Sequence, residues 1–382
     1  MSLALLRRID RWIGIFLLYI LVLPVRVISW IPSALSLKRP RHVFLKLKGG
    51  GSLIVALPSL LGLRQKSQEA EFVLICTADA KIYAELTGIF DRYLIIDDAS
   101  LITLALSACR ALWVCFRAKL CVDLEPNSLL AAVFTMLTCA RQRIGLVKSE
   151  QPVRAVAYTT PIPFDVLAPI YIFYDRICET LGAQPASDKE SQETLRATLP
   201  PSSLIKSPLK TIGITSFTSD FARERMMPQQ TWIDLLLQSF AKEPIKLLVF
   251  GAERHKDTAE QMRIAFQKAL PNADVINLCG TGNLANAASQ LTVCDEVWAV
   301  DSGLLHITRL LGIPTRSFWG PTMPSQRLRS FSHLREEVFY RPFKCSPCIQ
   351  SAEPPPCGGN NLCMISMAEP SPNLQPVWAS KK

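Results

Sequence analysis

The sequence predicts an α/β protein of two doubly wound parallel-sheet halves behind a hydrophobic N-terminal helix. Short apolar runs alternate with longer helical stretches over residues 42–182, and again over 210–320. A polar stretch rich in Pro, Ser and Lys separates the two series. In each series, small and acidic residues gather where an apolar run stops. Such alternation is the mark of parallel strands covered by helices on both faces, and ligands then sit at the carboxyl ends of the strands.

The first series reads strand 42–48, a glycine turn (Gly49, Gly50, Gly51) and helix 52–66. Strands follow at 72–77 and 91–97, a helix at 100–117, a strand at 118–125, a helix at 128–140 and a strand at 143–147. Residues 164–182 read as one long apolar helix. The second series reads strands at 210–215, 245–251, 273–280, 296–301 and 314–320, with helices at 228–242, 258–270, 283–294 and 303–312. The expected organisation is a membrane-associating segment over 1–41, a Rossmann-like domain over 42–184 and a linker over 185–208. A second Rossmann-like domain covers 209–340, a Cys-rich segment 341–366 and a disordered tail 367–382.

Composition narrows the function. The chain has 382 residues, a formal charge of +10 and twelve cysteines. That length supports two cores. The positive balance suits an anionic partner such as a nucleotide diphosphate or an acidic lipid surface. Eight cysteines lie scattered in apolar runs, which argues against a disulfide-stapled secreted protein. No aromatic-basic module points to nucleic acid. Residues 12–31 are almost wholly apolar, interrupted by Pro24 and Arg26. Arg7, Arg8 and Arg11 flank them on one side, Lys38, Arg39 and Arg41 on the other. The expectation is a helix in the inner leaflet, anchored by Trp12 and Trp30; the alternative is a helix packed on the protein itself.

The sharpest site signal is the run from Glu296 to Pro324. A strand ends at Asp301 and a helix begins through Ser302 and Gly303, with His306 one turn in. A helix start offers unpaired N–H groups and partial positive charge, which hold phosphates. The turn Phe318-Trp319-Gly320-Pro321-Thr322 is expected to line a base pocket. The loop after 215 supplies Ser216, Thr218, Arg223 and Arg225. Its hydroxyls suit phosphate oxygens, and a guanidinium suits a leaving diphosphate.

The run D-S-G-x-x-H-x-x-x-x-L-G-x-P-T-x-x-x-W-G-P-T resembles the C-terminal signature of glycosyltransferase family 9, the ADP-heptose:lipopolysaccharide heptosyltransferases. Ala56-Leu57-Pro58-Ser59-Leu60 falls where that family carries L-P-x-L. The resemblance implies a GT-B fold of two Rossmann-like domains facing across a cleft, with metal-independent sugar transfer. It implies donor binding by Asp301, Ser302, Gly303 and His306, a basic role for Arg225 with Arg223 as the fallback, and ADP-heptose as donor. A lipopolysaccharide-core or other lipid-linked saccharide would be the acceptor, at the cytoplasmic face of a bacterial inner membrane.

The family usually carries a catalytic Asp in the first turn, where this chain has Ser52. Asp123 and Glu125 then stand as replacement bases. Strand alternation puts them on one side, where two neighbouring carboxylates would raise one pKa and suit it to work as a base near pH 7. A non-catalytic nucleotide-sugar binder or envelope-assembly scaffold is the competing function. Cys345, Cys348, Cys357 and Cys363 follow a C-x2-C-x8-C-x5-C spacing. A structural zinc, an iron–sulfur site, paired disulfides and free thiols all fit it.

Overall fold

The computed structural model describes residues 3–30, 39–348 and 355–369, which form two compact units, Met1–Ser187 and Asp188–Lys382. Trp30's side chain, Lys38, and the expected tail from residue 370 lie outside the described positions, as do the side chains of Arg7 and Arg8.

Unit 1 contains α1 (Leu3–Trp30), β1 (Arg41–Leu45), α2 (Gly51–Lys66), β2 (Glu71–Cys76), α3 (Ala78–Thr87) and β3 (Arg92–Ile95). It continues with α4 (Leu101–Cys115), β4 (Leu120–Asp123), α5 (Leu129–Leu137), β5 (Gln142–Lys148), β6 (Thr160–Phe164) and α6 (Ile170–Thr180). Its sheet is wholly parallel, in the order β3-β2-β1-β4-β5-β6. The sheet is buried on both sides, so the strands read as continuous apolar runs. Val43 and Leu45 join the core beneath α4 and α5, while Phe44 packs on the α2 side.

Unit 2 contains α7 (Asp188–Ala197), β7 (Lys210–Thr215), α8 (Gln229–Phe240), β8 (Ile245–Val249), α9 (Lys256–Ala269), β9 (Asp274–Asn277) and α10 (Leu284–Leu291). Then come β10 (Glu296–Val300), α11 (Gly303–Leu310), β11 (Thr315–Trp319), α12 (Pro324–Arg327), β12 (Glu336–Tyr340) and α13 (Leu362–Ile365). The sheet order β12-β11-β10-β7-β8-β9 repeats the winding of unit 1. Strand order therefore reverses between β1 and β4 in one unit, and between β7 and β10 in the other. These switch points are where doubly wound sheets bind ligands.

Several expectations need correction. The apolar helix expected over 164–182 begins only at Ile170, after Pro169; ahead of it Thr160–Phe164 is the edge strand β6. Pro161 and Pro163 lack ladder donors, which an edge tolerates. The expected linker is not bare chain. Its α7 buries Ser191 and Leu195, and Gln192 and Arg196 both donate to the Leu311 carbonyl, at 2.7 and 2.8 Å. At the other end of the sequence, Met367 is buried in a short 3-10 turn, so the fold runs past the point where a disordered tail was expected.

Helix α1 packs one side against α5 through Leu18 and Val25. Residues Asp10–Ser29 are also long and apolar enough to cross a membrane by length and composition.

Candidate functional site

In unit 2, Asp301 leaves the end of β10 and is buried at the switch point. One carboxylate oxygen, Oδ2, lies 3.1 Å from Arg225 Nη1 and accepts a 2.9 Å hydrogen bond from Thr322 Oγ1. Burial alone would raise the Asp301 pKa. The charges of Arg225, His306 and Arg327, with the Thr322 hydroxyl, outweigh it and hold the carboxyl below its ordinary range. Asp301 therefore works as the anchor that fixes Arg225 at the strand end. Arg223, two residues earlier, is exposed.

Ser302 caps α11, its hydroxyl accepting from Leu305 N at 3.4 Å. The N–H groups of Gly303 and Leu304 belong to the first turn and have no acceptor within the helix. Positive helix-end charge and the Arg225 guanidinium thus meet at one place, a setting for a diphosphate. Ser216, buried at the end of β7, accepts a 2.7 Å bond from Trp232 Nε1, which leaves its own proton to donate. Thr218 is buried in the same loop.

His306 is buried one turn into α11. Its Nε2 stands 3.8 Å from Asp301 Oδ1, too far for a hydrogen bond. Nδ1 has no partner among the described residues. Burial drives its pKa down to about 4, against the opposing pull of Asp301, so the imidazole is neutral near pH 7.

The turn expected to line a base pocket is packed instead. Phe318 lies in the core with Trp232 and Trp298, and Trp319 is fully buried. A Cβ on Gly320 would stand 2.7 Å from Cys363 Sγ, so glycine is what lets α13 close on this strand end.

In unit 1, the two candidate carboxylates part company. Asp123 is fully buried at the end of β4. Its Oδ2 accepts from Arg154 Nη2 at 2.9 Å and Tyr158 OH at 2.6 Å, and its Oδ1 accepts from Glu125 N at 2.8 Å. Arg154 also donates to the carbonyls of Leu146, Ser128 and Glu125. Burial pushes the Asp123 carboxyl up, against the pull of Arg154, Tyr158 and the Glu125 N–H. This closed network is structural and leaves Asp123 no reach to a substrate hydroxyl, which corrects its expected role as a base.

Glu125 turns the other way. Its Oε1 accepts from Leu47 N and Lys48 N, each at 2.7 Å, with Lys46 Nζ at 3.4 Å. It thereby holds the turn between β1 and α2. Burial would lower the Lys46 pKa; the Glu125 charge outweighs this and raises it. Oε2 has no partner among the described residues. Because the strand ends at Asp123, the two side chains serve different loops; the Glu125 charge still adds a minor push to the raised Asp123 pKa.

Within the glycine turn, Gly49 has φ of +75°, and a Cβ on Gly50 would stand 2.1 Å from the Tyr83 ring. Both positions therefore require glycine. Gly51 opens α2, with Gly50 as its N-cap. Ser52 follows inside the first turn, and its hydroxyl donates to the Gly49 carbonyl at 2.6 Å. It is neither the N-cap nor a base.

Burial raises the Cys363 thiol pKa to about 12, with smaller contributions from Cys348, Cys345 and Cys357. Among the described residues, however, no group of three His, Cys, Asp or Glu is arranged to hold a metal.

Sequence reasoning missed four residues. Arg327, in α12, acts on both Asp301 and His306. Arg154 and Tyr158 seal Asp123 from 31 and 35 residues away, a separation that no local pattern spans. In the 3-10 turn Glu253–His255 after β8, His255 stacks on Phe217 at 4.5 Å, beside the same loop that carries Thr218.

A model of glycosyltransferase family 9 (heptosyltransferase) matches residues 117–357. The lipooligosaccharide heptosyltransferase 2 of Haemophilus influenzae is 31% identical over 90 residues, covering 24% of this chain and 24% of that protein; the match thus spans about a quarter of the relative's length. Among solved structures, Escherichia coli heptosyltransferase WaaC with ADP has a TM-score of 0.60 at 17% identity, over 86% of this chain and 97% of that one. E. coli ADP-heptose lps heptosyltransferase II has a TM-score of 0.57 at 15% identity, over 78% and 89%. The family 9 glycosyl transferase from Veillonella parvula has a TM-score of 0.58 at 15% identity, over 80% and 87%. At these identities the structures show the fold, and that fold is the GT-B type.

Proposed function

The chain belongs to glycosyltransferase family 9, and from that membership we propose that it transfers heptose from ADP-heptose to a lipid-linked saccharide such as a lipopolysaccharide core. The observation that carries this reading is the Asp301–Arg225 pair, 3.1 Å apart at the start of α11. Unit 2 binds the donor: Gly303 and Leu304 N–H groups and Arg225 take the diphosphate, and the Ser216 hydroxyl donates to its oxygens, while the Thr218 hydroxyl donates to the Ser219 carbonyl at 3.3 Å. Unit 1 handles the acceptor. The acceptor oxygen bonds to the anomeric carbon while the bond from that carbon to the diphosphate breaks, and ADP departs with the electron pair. The acceptor proton passes to Glu125 Oε2. Cationic and backbone donors neutralise the leaving group, so no metal enters the scheme. The apolar helix α1, long enough to cross a membrane by length and composition, supports a site of action at the cytoplasmic face of a bacterial inner membrane, where a lipid-linked acceptor would be met.

One observation favours the non-catalytic alternative. Ser52 stands where the resemblance implies a catalytic Asp, and its hydroxyl is spent on Gly49. Glu125→Gln separates the readings. The transferase reading expects release of ADP from ADP-heptose to fall by about 10²-fold or more while ADP still binds. Unchanged release refutes Glu125 as the base. Tight donor binding by the wild type with neither transfer nor hydrolysis across a panel of lipid-linked acceptors supports the scaffold.

A further inference from the structure

Helix α4 meets the unit 1 sheet with two buried side chains, Ala111 and Cys115. Its outward side carries Leu101, Ile102, Leu106 and Trp113, exposed by 74%, 72%, 67% and 86%. A surface helix of a water-soluble fold turns polar residues outward. Here the only charge between Leu101 and Cys115 is Arg110. A contiguous apolar face of this kind marks a surface that meets another apolar phase.

Helix α1 has the same character. Its inner side is locked to α5: Asp10 accepts from Ser128 Oγ, Leu129 N and Leu130 N at 2.7, 2.9 and 3.0 Å. Its outer side presents Trp12, Phe16, Tyr19, Leu23 and Val27 at helical spacing, between 63% and 72% exposed. The two helices belong to one side of the unit. The crossover from β3 to β4 reverses the direction of winding, which puts α4 and α5 on the same face of the sheet. They share a core there through Ala111, Cys115 and Ala131. Arg117, just past α4, donates from Nη2 to the Ile28 carbonyl of α1 at 2.9 Å.

Charge selects the partner. Arg11 and Arg26 on α1, Arg110 on α4, and Lys119 and Arg141 nearby are all exposed. Of the acids in these elements, Asp10 is used in capping α5, while Asp97 and Asp98 are exposed just ahead of Leu101, so the cations outnumber the free acids on this side. Apolar faces rimmed by cations and carrying Trp and Tyr suit an anionic bilayer.

We propose that α4 is a second bilayer-docking helix, and that α1 and α4 together seat unit 1 in the plane of an anionic lipid surface. The proposal rests on the membrane reading of α1. Because α1 packs through Leu18 and Val25 on α5 and on Ala157 and Tyr158, and is tied by Asp10 to the start of α5 and at Ile28 to Arg117, it lies beside the protein instead of standing apart as a lone span.

The test is flotation of the full chain with phosphatidylcholine vesicles, with and without phosphatidylglycerol. Wild type is expected to float with the anionic vesicles. Ile102→Glu/Trp113→Glu is expected to bind roughly tenfold less, about 1.4 kcal/mol, at an unchanged melting temperature. Phe16→Glu/Leu23→Glu, on α1, is the parallel variant. If the α4 variant floats like wild type while the α1 variant does not, the α4 proposal fails and the membrane reading stands. If wild type stays unbound on anionic vesicles, the membrane reading falls and the proposal with it. If the α4 variant instead splits a wild-type dimer in light scattering, with flotation unaltered, the face is a protein interface and the proposal is wrong.

Discussion

Replacing Arg225 by Gln separates the two roles of its guanidinium. Arg225 stands 3.1 Å from Asp301, and the two side chains are 19% and 5% exposed. At that distance unit charges attract by about 5 kcal/mol for an effective dielectric near 20, a gross figure before desolvation is subtracted. Arg225 keeps some contact with water, and Thr322 still donates to the stranded carboxylate. The net loss expected is therefore about 1–3 kcal/mol, or roughly 2–10 °C in melting temperature for a unit of this size. Catalysis suffers separately. Losing a cation from the departing diphosphate is expected to cost about 10²–10³ in kcat. Adding Asp301→Asn removes the stranded charge, so the double variant should recover most of the stability and none of the activity. Melting curves, together with initial rates of ADP release from ADP-heptose, give both readouts. Arg225→Gln with a rate within about threefold of wild type, or a double variant that regains turnover, refutes the role given to Arg225.

Three further outcomes follow from the geometry. His306 has a folded-state pKa of about 4 against an ordinary 6.5, because it is buried. The unfolded chain takes up the proton first, so stability is full above that ordinary value and falls as pH drops toward about 4, by at most about 3 kcal/mol. His42, also lowered to about 4, adds a similar acid limb, and His306→Gln should flatten the combined melting-temperature profile by about half. Asp123→Asn leaves Arg154 buried without its counter-charge and is expected to cost about 3–5 kcal/mol, so it should lower the melting temperature, while activity per folded molecule stays near wild type. Gly50→Ala drives a methyl into Tyr83 and should cost about 1–3 kcal/mol; Gly50→Ala/Tyr83→Ala should regain part of it in denaturant titration.

The two sheets were legible because parallel strands buried on both sides leave plain apolar runs, as in Phe72–Cys76 and Val297–Val300. The edges were not. β6 carries two prolines, and β12 begins with Glu336, whose carboxylate is matched by the buried Arg309 of α11, 27 residues earlier. Helix α7 was hidden because charged residues dominate it and its docking rests on Ser191 and Leu195. At the proposed donor site, the strand end, cap and helix start lie contiguous in sequence, so the geometry from Asp301 to His306 could be read directly. The chemistry in unit 1 was less legible. Alternation placed Asp123 and Glu125 together, but the fates of these two side chains are decided by Arg154, Tyr158 and the turn at Leu47–Lys48, all remote in sequence. The packing of Cys363 on Gly320 likewise closed a turn that local pattern left open.

The central claim is that a nucleotide diphosphate binds where Arg225 and the start of α11 meet. A crystal structure of the full chain with ADP tests it most directly. The account expects diphosphate oxygens within hydrogen-bond distance of the Gly303 and Leu304 N–H groups and of the Arg225 guanidinium, with Asp301 still holding that guanidinium from behind. ADP bound elsewhere, or bound there with Arg225 turned away from the phosphates, would contradict it.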